Sequence, residues 1–333
     1  MDWALAFGGV IVGFVVGLTG MGGGALMTPM LVLFFGVSPL AAVSSDLVVS
    51  AVMKPFGGAV HMRMGTVNKS LVGWLCLGSV PAAFCGVLVA RALGSGGEVQ
   101  QVIKTALGIA LLLAAAGLIL KSYLSLIAWA KRRRGEGAPT VESAAGMTIR
   151  PIPTVLVGVV GGLVVGMTSV GSGSLIIIAL LLLYPKLQAS NIVGTDIVQA
   201  VPLVISAAIG HLLFGDFQFD IASSLLVGAI PGVIAGSLVS AKAPGGIVRR
   251  ALALILLASA LKLLEVPNGW TAAILIAVLL VAPPVWMIVR RRYGLPALNR
   301  RRTRRQNAKP VESSGAGPVA SSGEPTPSPL SRP

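Results

Sequence analysis

The sequence is poor in charged residues. Only 11% of its 333 residues are Asp, Glu, Lys or Arg, whereas 55% are hydrophobic and the mean hydropathy is +0.88. A soluble globular domain carries about 25% charged residues. The composition therefore excludes an ordinary soluble domain. It predicts an all-α integral membrane protein with about eight spans of roughly 20 apolar residues each.

Cysteine and histidine are scarce as well. The two cysteines, Cys76 and Cys85, lie in one apolar segment, and the two histidines are His61 and His211. None of these spacings matches a zinc site or a disulfide framework. Neither the His-Glu-x-x-His motif nor the Gly-x-Ser-Gly motif of intramembrane proteases occurs. We therefore expect no metal, no cofactor and no enzymatic activity.

The charge that is present is basic and clustered. The net charge is +15, and most of it lies in Lys131–Arg134 and in the run from Arg290 to Lys309, next to apolar segments. Basic residues beside membrane spans set orientation and attract anionic lipid. We therefore predict a lipid partner at these segments, a cytoplasmic C-terminal tail and no nucleic-acid partner.

Two clusters of glycine stand inside apolar runs, at 17–24 and at 166–173. Glycine weakens a helix interior by roughly 1 kcal/mol relative to alanine, so each cluster predicts a break in a membrane helix. Broken helices at membrane depth occur where they are buried in protein or line a cavity. Two breaks at matching places in two halves of a chain are a pointer to a transporter's binding site.

The two halves of the chain repeat each other. Equivalent residues are separated by 149 positions in the glycine clusters and by 150 positions after them. The matching pairs are Gly17 with Gly166, Thr19 with Thr168, Asp46 with Asp196, His61 with His211, and Pro81 with Pro231. Since the pairs include both histidines, they indicate a duplication.

The charges predict that the second repeat is inverted in the membrane. The loop after His61 carries Arg63 and Lys69, whereas the equivalent loop carries Asp216 and Asp220. By the positive-inside rule the first loop is cytoplasmic and the second is external. Span counting then requires each glycine-broken segment to be a hairpin of two short helices, entering and leaving on one side.

The predicted organisation has four parts. They are membrane repeat 1 (1–130), a cytoplasmic basic linker (131–152), membrane repeat 2 with an extra C-terminal helix (153–292), and a disordered tail (293–333), first basic and then rich in Ser, Pro and Gly.

The glycine loops are the predicted substrate site. The second short helix of each hairpin is expected to start near Ala25 or Ser174, and its first amides lie at the positive end of the helix dipole. Two such ends meeting near the midplane would bind a small oxyanion. Close helix packing through small residues is the alternative. The candidate residues are Thr19, Gly20, Gly22, Gly23, Gly24, Thr168, Ser169, Gly171, Ser172, Gly173 and Ser174.

Two acids form a second candidate group. Asp46 follows Ser45, and Asp196 follows Thr195, near the predicted starts of the next helices. Each carboxylate could cap its helix N-terminus or carry protons for coupling. The sequence favours neither, so a proton-coupled or cation carrier stays an alternative to an anion transporter.

Three further residues are candidates for gating. His61 and His211 are predicted at helix ends opposite the glycine loops, where a structural role competes with a proton role. Lys54 has no counterpart, because Val204 occupies the equivalent position. Snorkelling of Lys54 to the cytoplasmic surface is favoured over attraction of anions.

These motifs resemble the sulfite exporter TauE/SafE family of bacterial membrane transporters, over residues 5–290. The resemblance implies export of a small sulfur-containing or organic anion, such as sulfite, sulfoacetate or a related sulfonate, across the bacterial inner membrane. It rests on the paired loops (20–24 and 169–173), the His-x3-Gly turns (61–65 and 211–215) and the Gly/Pro runs beginning at Gly78 and Gly228.

The charge asymmetry makes a prediction about topology. In a Cys76→Ser, Cys85→Ser background, a cysteine replacing Gln218 should react with an impermeant thiol reagent added outside, because its loop is external. A cysteine replacing Thr66 should be protected until the membrane is permeabilised. The opposite labelling pattern would contradict the inverted arrangement.

Overall fold

Helices account for nearly all of the part of the chain that the computed structural model describes. The described residues are 2–19, 23–63, 65–92, 97–133, 149–185, 187, 189–240 and 245–292, and no strand occurs among them. The helices are α1 (Trp3–Thr19), α2 (Gly24–Phe34), α3 (Pro39–Arg63), α4 (Lys69–Ala92), α5 (Gly97–Arg133), α6 (Pro151–Thr168), α7 (Leu175–Leu183), α8 (Ala189–Phe214), α9 (Phe219–Ser240), α10 (Gly245–Leu263) and α11 (Asn268–Arg292).

Seven of the described helices contain stretches long and apolar enough to cross a membrane: α3, α4, α5, α6, α8, α9 and α11. Helices α1 and α2 are apolar but shorter. The predicted all-α, multi-pass membrane class is therefore confirmed. Helix α11 has almost no buried side chains and exposes apolar residues along its length.

Both predicted helix breaks are present. Helix α1 ends at Thr19 and α2 begins at Gly24, while α6 ends at Thr168 and α7 begins at Leu175. The expectation of two short arms per hairpin is wrong for the first arm of the second hairpin. Helix α6 has 18 residues, which corresponds to about 27 Å, whereas α7 has only 9.

The long first arms pack along a full-length helix. Helix α1 packs against α9, and α6 packs against α4. Glycines at every fourth position face the partner backbone: a Cβ atom on Gly228, Gly232 or Gly236 would overlap a carbonyl oxygen of α1. Gly158, Gly162 and Gly166 approach α4 in the same way. Small residues spaced by four are typical of close helix packing in membranes.

Helices α3 and α8 cross in opposite directions. A Cβ atom on Gly58, late in α3, would lie 3.3 Å from Val201 in the middle of α8. Near the start of α3, Ser44 Oγ lies 2.8 Å from Nδ1 of His211, in the last turn of α8. The two helices therefore run antiparallel where they cross.

Helices α5 and α10 are also antiparallel and form an apolar wall. Leu107, Leu111 and Leu256 are buried in their interface. At one end, the Lys104 ammonium lies 2.7 Å from the Glu265 carboxylate, in the turn after α10. The hydrogen bond from Lys104 lowers the pKa of Glu265.

Two predicted segments fall mainly or wholly outside the described residues. Residues 134–148 of the predicted linker and all of the predicted tail, 293–333, belong to the undescribed part. Their predicted roles stay predictions.

Glycine packing predicts a contrast in stability. Gly228→Ala should lower the free energy of unfolding by about 1–3 kcal/mol, because the new Cβ atom would overlap the Ala6 carbonyl and force α1 and α9 apart. Gly73→Ala, in α4, is the matched control: no atom lies within 4 Å of its Cβ position, and alanine favours the helix. Melting temperatures of the purified proteins in detergent measure both. Equal melting temperatures would contradict the packing role.

Candidate functional site

The loop between α6 and α7 is built from its own polar groups. The Thr168 hydroxyl donates to the Val164 carbonyl (2.6 Å) and accepts from the Val170 amide (3.2 Å). Ser169 ends α6 in the left-handed conformation, and its amide donates to the Val165 carbonyl. The end of α6 is therefore capped within the loop, as a helix end inside a membrane requires.

The start of α7 is capped differently from the expectation. The amides of Ser174, Leu175 and Ile176 all converge on the Gly171 carbonyl, at 3.2, 3.0 and 3.4 Å. These amides are consequently engaged rather than available to a ligand. Gly171 has φ 132° and Gly173 has φ 101°, which are angles that a side chain strains. Glycine at these two positions is a requirement of the backbone turn.

The two helix breaks meet at Gly24. A Cβ atom on Gly24 would overlap the Ser169 carbonyl oxygen, so the start of α2 lies directly against the second loop. A Cβ atom on Gly23 would lie 3.7 Å from both Asp46 Oδ1 and Ser50 Oγ. Of the other first-loop candidates, Gly20, Gly22 and the Thr19 side chain lie outside the described residues.

Asp46 lies at this meeting point. Its side chain is fully buried, and its Oδ2 atom accepts hydrogen bonds from Thr28 Oγ1 and from Ser169 Oγ, both at 2.7 Å. Ser50 Oγ lies 3.4 Å from Oδ1. Asp46 is well inside α3, which begins at Pro39, so it cannot be the N-cap of that helix. It instead connects α3 with α2 and with the second loop.

Lys54 reaches the same loop from two turns further along α3. Its ammonium donates to Ser172 Oγ at 2.6 Å. The ammonium also interacts electrostatically with the carboxylates of Asp196 and Asp46. The favoured expectation that Lys54 snorkels to the surface is therefore wrong, because a hydroxyl and two acids in the protein interior attract the ammonium inward.

Asp196 and its neighbours are equally buried. Asp196 is 1% exposed and lies well inside α8, so it is not an N-cap either. The hydroxyl of Thr195 accepts from the Asn68 amide (3.0 Å), at the start of α4. The Ser45 hydroxyl is buried with no hydrogen-bond partner among the described residues.

The two histidines differ in their surroundings. His211 is fully buried rather than interfacial: Nε2 donates to the Gly166 carbonyl and Nδ1 faces Ser44 Oγ, each at 2.8 Å. It therefore connects α8, α6 and α3. His61 is half-buried, and its Nδ1 lies 3.0 Å from Thr66 Oγ1 in the turn after α3.

A small cavity opens beside the second loop. One side of the cavity is polar and comes from the loop, and the opposite side is the apolar wall of α5 and α10. The lining residues are Ala25, Ala114, Leu118, Ser169, Gly171, Ser172, Gly173, Ser174 and Leu256. Five of the loop residues predicted from the sequence thus line one cavity.

Several polar residues of this region were not predicted. Ser50 follows Asp46 by four residues, and that helical spacing could have identified it. Gln199 Nε2 donates to Ser79 Oγ at 2.6 Å, and a glutamine in an apolar segment could also have been selected. Thr28 gives no comparable signal, because it stands alone in an apolar run.

Comparison with known proteins places this arrangement in a family. Residues 5–263 match the family described as Sulfite exporter TauE/SafE. The "Probable membrane transporter protein YjnA" of Bacillus subtilis (strain 168) is 39% identical over 265 residues, which is 79% of this chain and 100% of that protein. The "Probable membrane transporter protein YdhB" of the same organism is 25% identical over 68% of this chain and 85% of its own length.

No solved structure matches the chain. The family match covers most of the chain, and the match to the first relative includes that protein's full length. The protein therefore belongs to the sulfite exporter TauE/SafE family of membrane transporters.

Proposed function

We propose that this transporter exports a small oxyanion, such as sulfite, sulfoacetate or a related sulfonate, through a site between the two glycine-broken hairpins. The observation that carries the proposal is the contact of the two breaks, where Gly24 lies against the Ser169 carbonyl. Breaks at corresponding places in two repeats mark substrate sites in transporters.

The polar groups around the second loop favour an anion as the substrate. The first amides of α7 are bound to the Gly171 carbonyl, so the donors for an anion come from side chains. The loop adds the hydroxyls of Ser169 and Ser172, and the Lys54 ammonium adds a full positive charge at Ser172. Hydroxyls and an ammonium are suitable donors for sulfonate or sulfite oxygens.

The proposal includes an inverted-topology repeat. Its support is that the equivalent helices α3 and α8 run antiparallel where they cross, as an axis in the membrane plane would require. In the repeat, α1 is equivalent to α6 and α9 is equivalent to α4. The α1–α9 pair therefore corresponds to the α6–α4 pair, and both pairs are closely packed.

Orientation and location are part of the same proposal. Arg290–Arg292 end α11 and would lie on the cytoplasmic side, which places the following tail in the cytoplasm of a bacterial cell. Anionic lipid is the proposed partner of these basic residues.

The competing proposals have weaker support. A cation carrier would use the two acids as ligands, but the Asp46 carboxylate already accepts from hydroxyl donors. Among the described residues, no group of three or more His, Cys, Asp or Glu side chains could hold a metal ion. The family description and the names of the relatives indicate a transporter rather than an enzyme. Proton coupling is compatible with anion transport.

The loop makes a prediction about transport. Gly171→Ala should reduce saturable flux of radiolabelled sulfoacetate into liposomes by at least about tenfold, because φ 132° cannot accept a side chain without reshaping the loop around Ser172. The protein should stay inserted and folded.

Gly36→Ala is the matched control. Gly36 also has a positive φ, 64°, but it lies in the turn after α2 with no atom near its Cβ position. We expect this variant to lose some stability and to keep its flux. Equal flux in the two variants would contradict a substrate site at the second loop, and wild-type protein without flux for any sulfonate or sulfite would contradict the proposed function.

A further inference from the structure

The second loop is attached to α3 by two side chains of opposite charge. Asp46 accepts from Ser169 Oγ at 2.7 Å, and Lys54 donates to Ser172 Oγ at 2.6 Å. We call these two bonds the acid link and the base link. They stand two helical turns apart on α3 and three residues apart on the loop, so together they fix the loop to the helix.

We propose, on the basis of the proposed function, that the transported anion opens the base link, that a proton opens the acid link, and that both must open before the second loop can leave α3. The protein would then move an anion and a proton together, as a coupled pair.

The base link is suited to an anion because of its donor. Lys54 presents an ammonium to a neutral hydroxyl, and the cavity lies on the same loop, with Ser172 in its lining. A sulfonate oxygen carries charge and is a stronger acceptor than a hydroxyl. An anion bound beside Ser172 would therefore compete with the Ser172 hydroxyl for the Lys54 ammonium.

The acid link is suited to a proton because of its acceptor. Oδ2 of Asp46 accepts from Thr28 and Ser169 at once, and these bonds are charge-assisted while the carboxyl is ionised. Bonds to an ionised group are roughly twice as strong as neutral ones. Protonation of Asp46 would weaken both bonds, and a proton on Oδ2 itself would displace one of the hydroxyls.

Charge balance joins the two events. Lys54 interacts with Asp196 as well as with Asp46, so the site holds one cation and two acids. An anion added to the fully ionised group would increase its negative charge inside the membrane, which is costly. A proton on Asp46 offsets one unit of that negative charge, so the anion and the proton should bind better together than alone.

The helices packed against α3 carry few other titratable side chains among the described residues. Helices α2 and α7 contain none, and the described part of α9 contains only Asp220, in its first turn. Glu98 and Lys104 are near the start of α5, and Lys121, whose side chain lies outside the described residues, and Tyr123 are further along it. His211 is held by Ser44 and Gly166, and His61 lies beside Thr66. Among the described side chains, Asp46, Asp196 and Lys54 are therefore the charged groups that connect to the loop.

The acid link and the base link have no equivalents in the other repeat. The residues of the first loop equivalent to Ser169 and Ser172 are Gly20 and Gly23, which carry no hydroxyl, and the equivalent of Lys54 is Val204. Gly20, Gly23 and Val204 therefore cannot repeat the two links. The anion should consequently act on the second hairpin alone, whereas protonation of Asp46 also weakens the bond from Thr28 of the first hairpin.

Full-length protein in liposomes tests the proposal, with radiolabelled sulfoacetate as the probe and a pH-sensitive dye inside the vesicles. Both acidic groups of sulfoacetate stay ionised between about pH 6 and 8, so its own charge does not change. For wild-type protein we expect flux that rises as the pH falls, with about one proton moving with each anion.

Substitutions separate the two links. Lys54→Met should raise the KM for sulfoacetate by at least about tenfold at every pH, because a hydrogen bond to a charged group is lost. Lys54→Arg, which keeps the charge, should restore most of that affinity. Asp46→Asn should carry the anion without proton movement and with a KM independent of pH. Lys104→Met, which removes a lysine from the exposed pair with Glu265, is the matched control and should behave as wild type.

Ser169→Ala covers the case in which an Asp46 or Lys54 variant fails to insert. It removes the acid link and leaves all three charges in place, and it should abolish most of the pH dependence. Three results would each overturn the two-link proposal and leave the transporter assignment intact. They are an unchanged KM in Lys54→Met, undiminished proton movement with the anion in Asp46→Asn, and undiminished pH dependence of flux in Ser169→Ala. Absence of flux in wild-type protein would overturn the proposed function itself.

Discussion

A bilayer provides no water to a backbone that leaves its helix, so every polar group freed at a break must be bonded inside the protein. The second loop meets this constraint with its own atoms. Thr168 caps the end of α6, and the Gly171 carbonyl accepts three amides at the start of α7. Because the polar backbone groups of the loop are hydrogen-bonded within it, the side chains of Ser169 and Ser172 are available for hydrogen bonds with α3. The candidate site depends on this separation between backbone hydrogen bonds within the loop and side-chain hydrogen bonds to α3.

The same constraint explains the two uses of glycine in this chain. Glycines at every fourth position of α6 and α9 allow backbones to touch, which holds the long first arms against their partners. Gly171 and Gly173 instead provide backbone angles that a side chain would strain. Close helix packing and the turn of the second loop therefore depend on different glycines.

Sequence reasoning identified the helix breaks within one residue, because a glycine cluster in an apolar run has few other interpretations. It could not identify the partners of Asp46 and Lys54. Ser169 and Ser172 lie more than a hundred residues away in the chain, and no local periodicity reports which loop will face which helix. The capping interpretation of Asp46 was wrong for a related reason: α3 begins at Pro39, earlier than the acid suggested.

A small anion and a proton are proposed to bind together at the second loop and Asp46. Calorimetric titration of the purified wild-type protein with sulfoacetate, at one pH and in two buffers with different ionisation enthalpies, measures the number of protons taken up per anion bound. Linked binding predicts a heat that depends on the buffer and an uptake between zero and about one proton, larger at neutral pH than at acid pH. Anion binding with the same heat in both buffers across the pH range would contradict it.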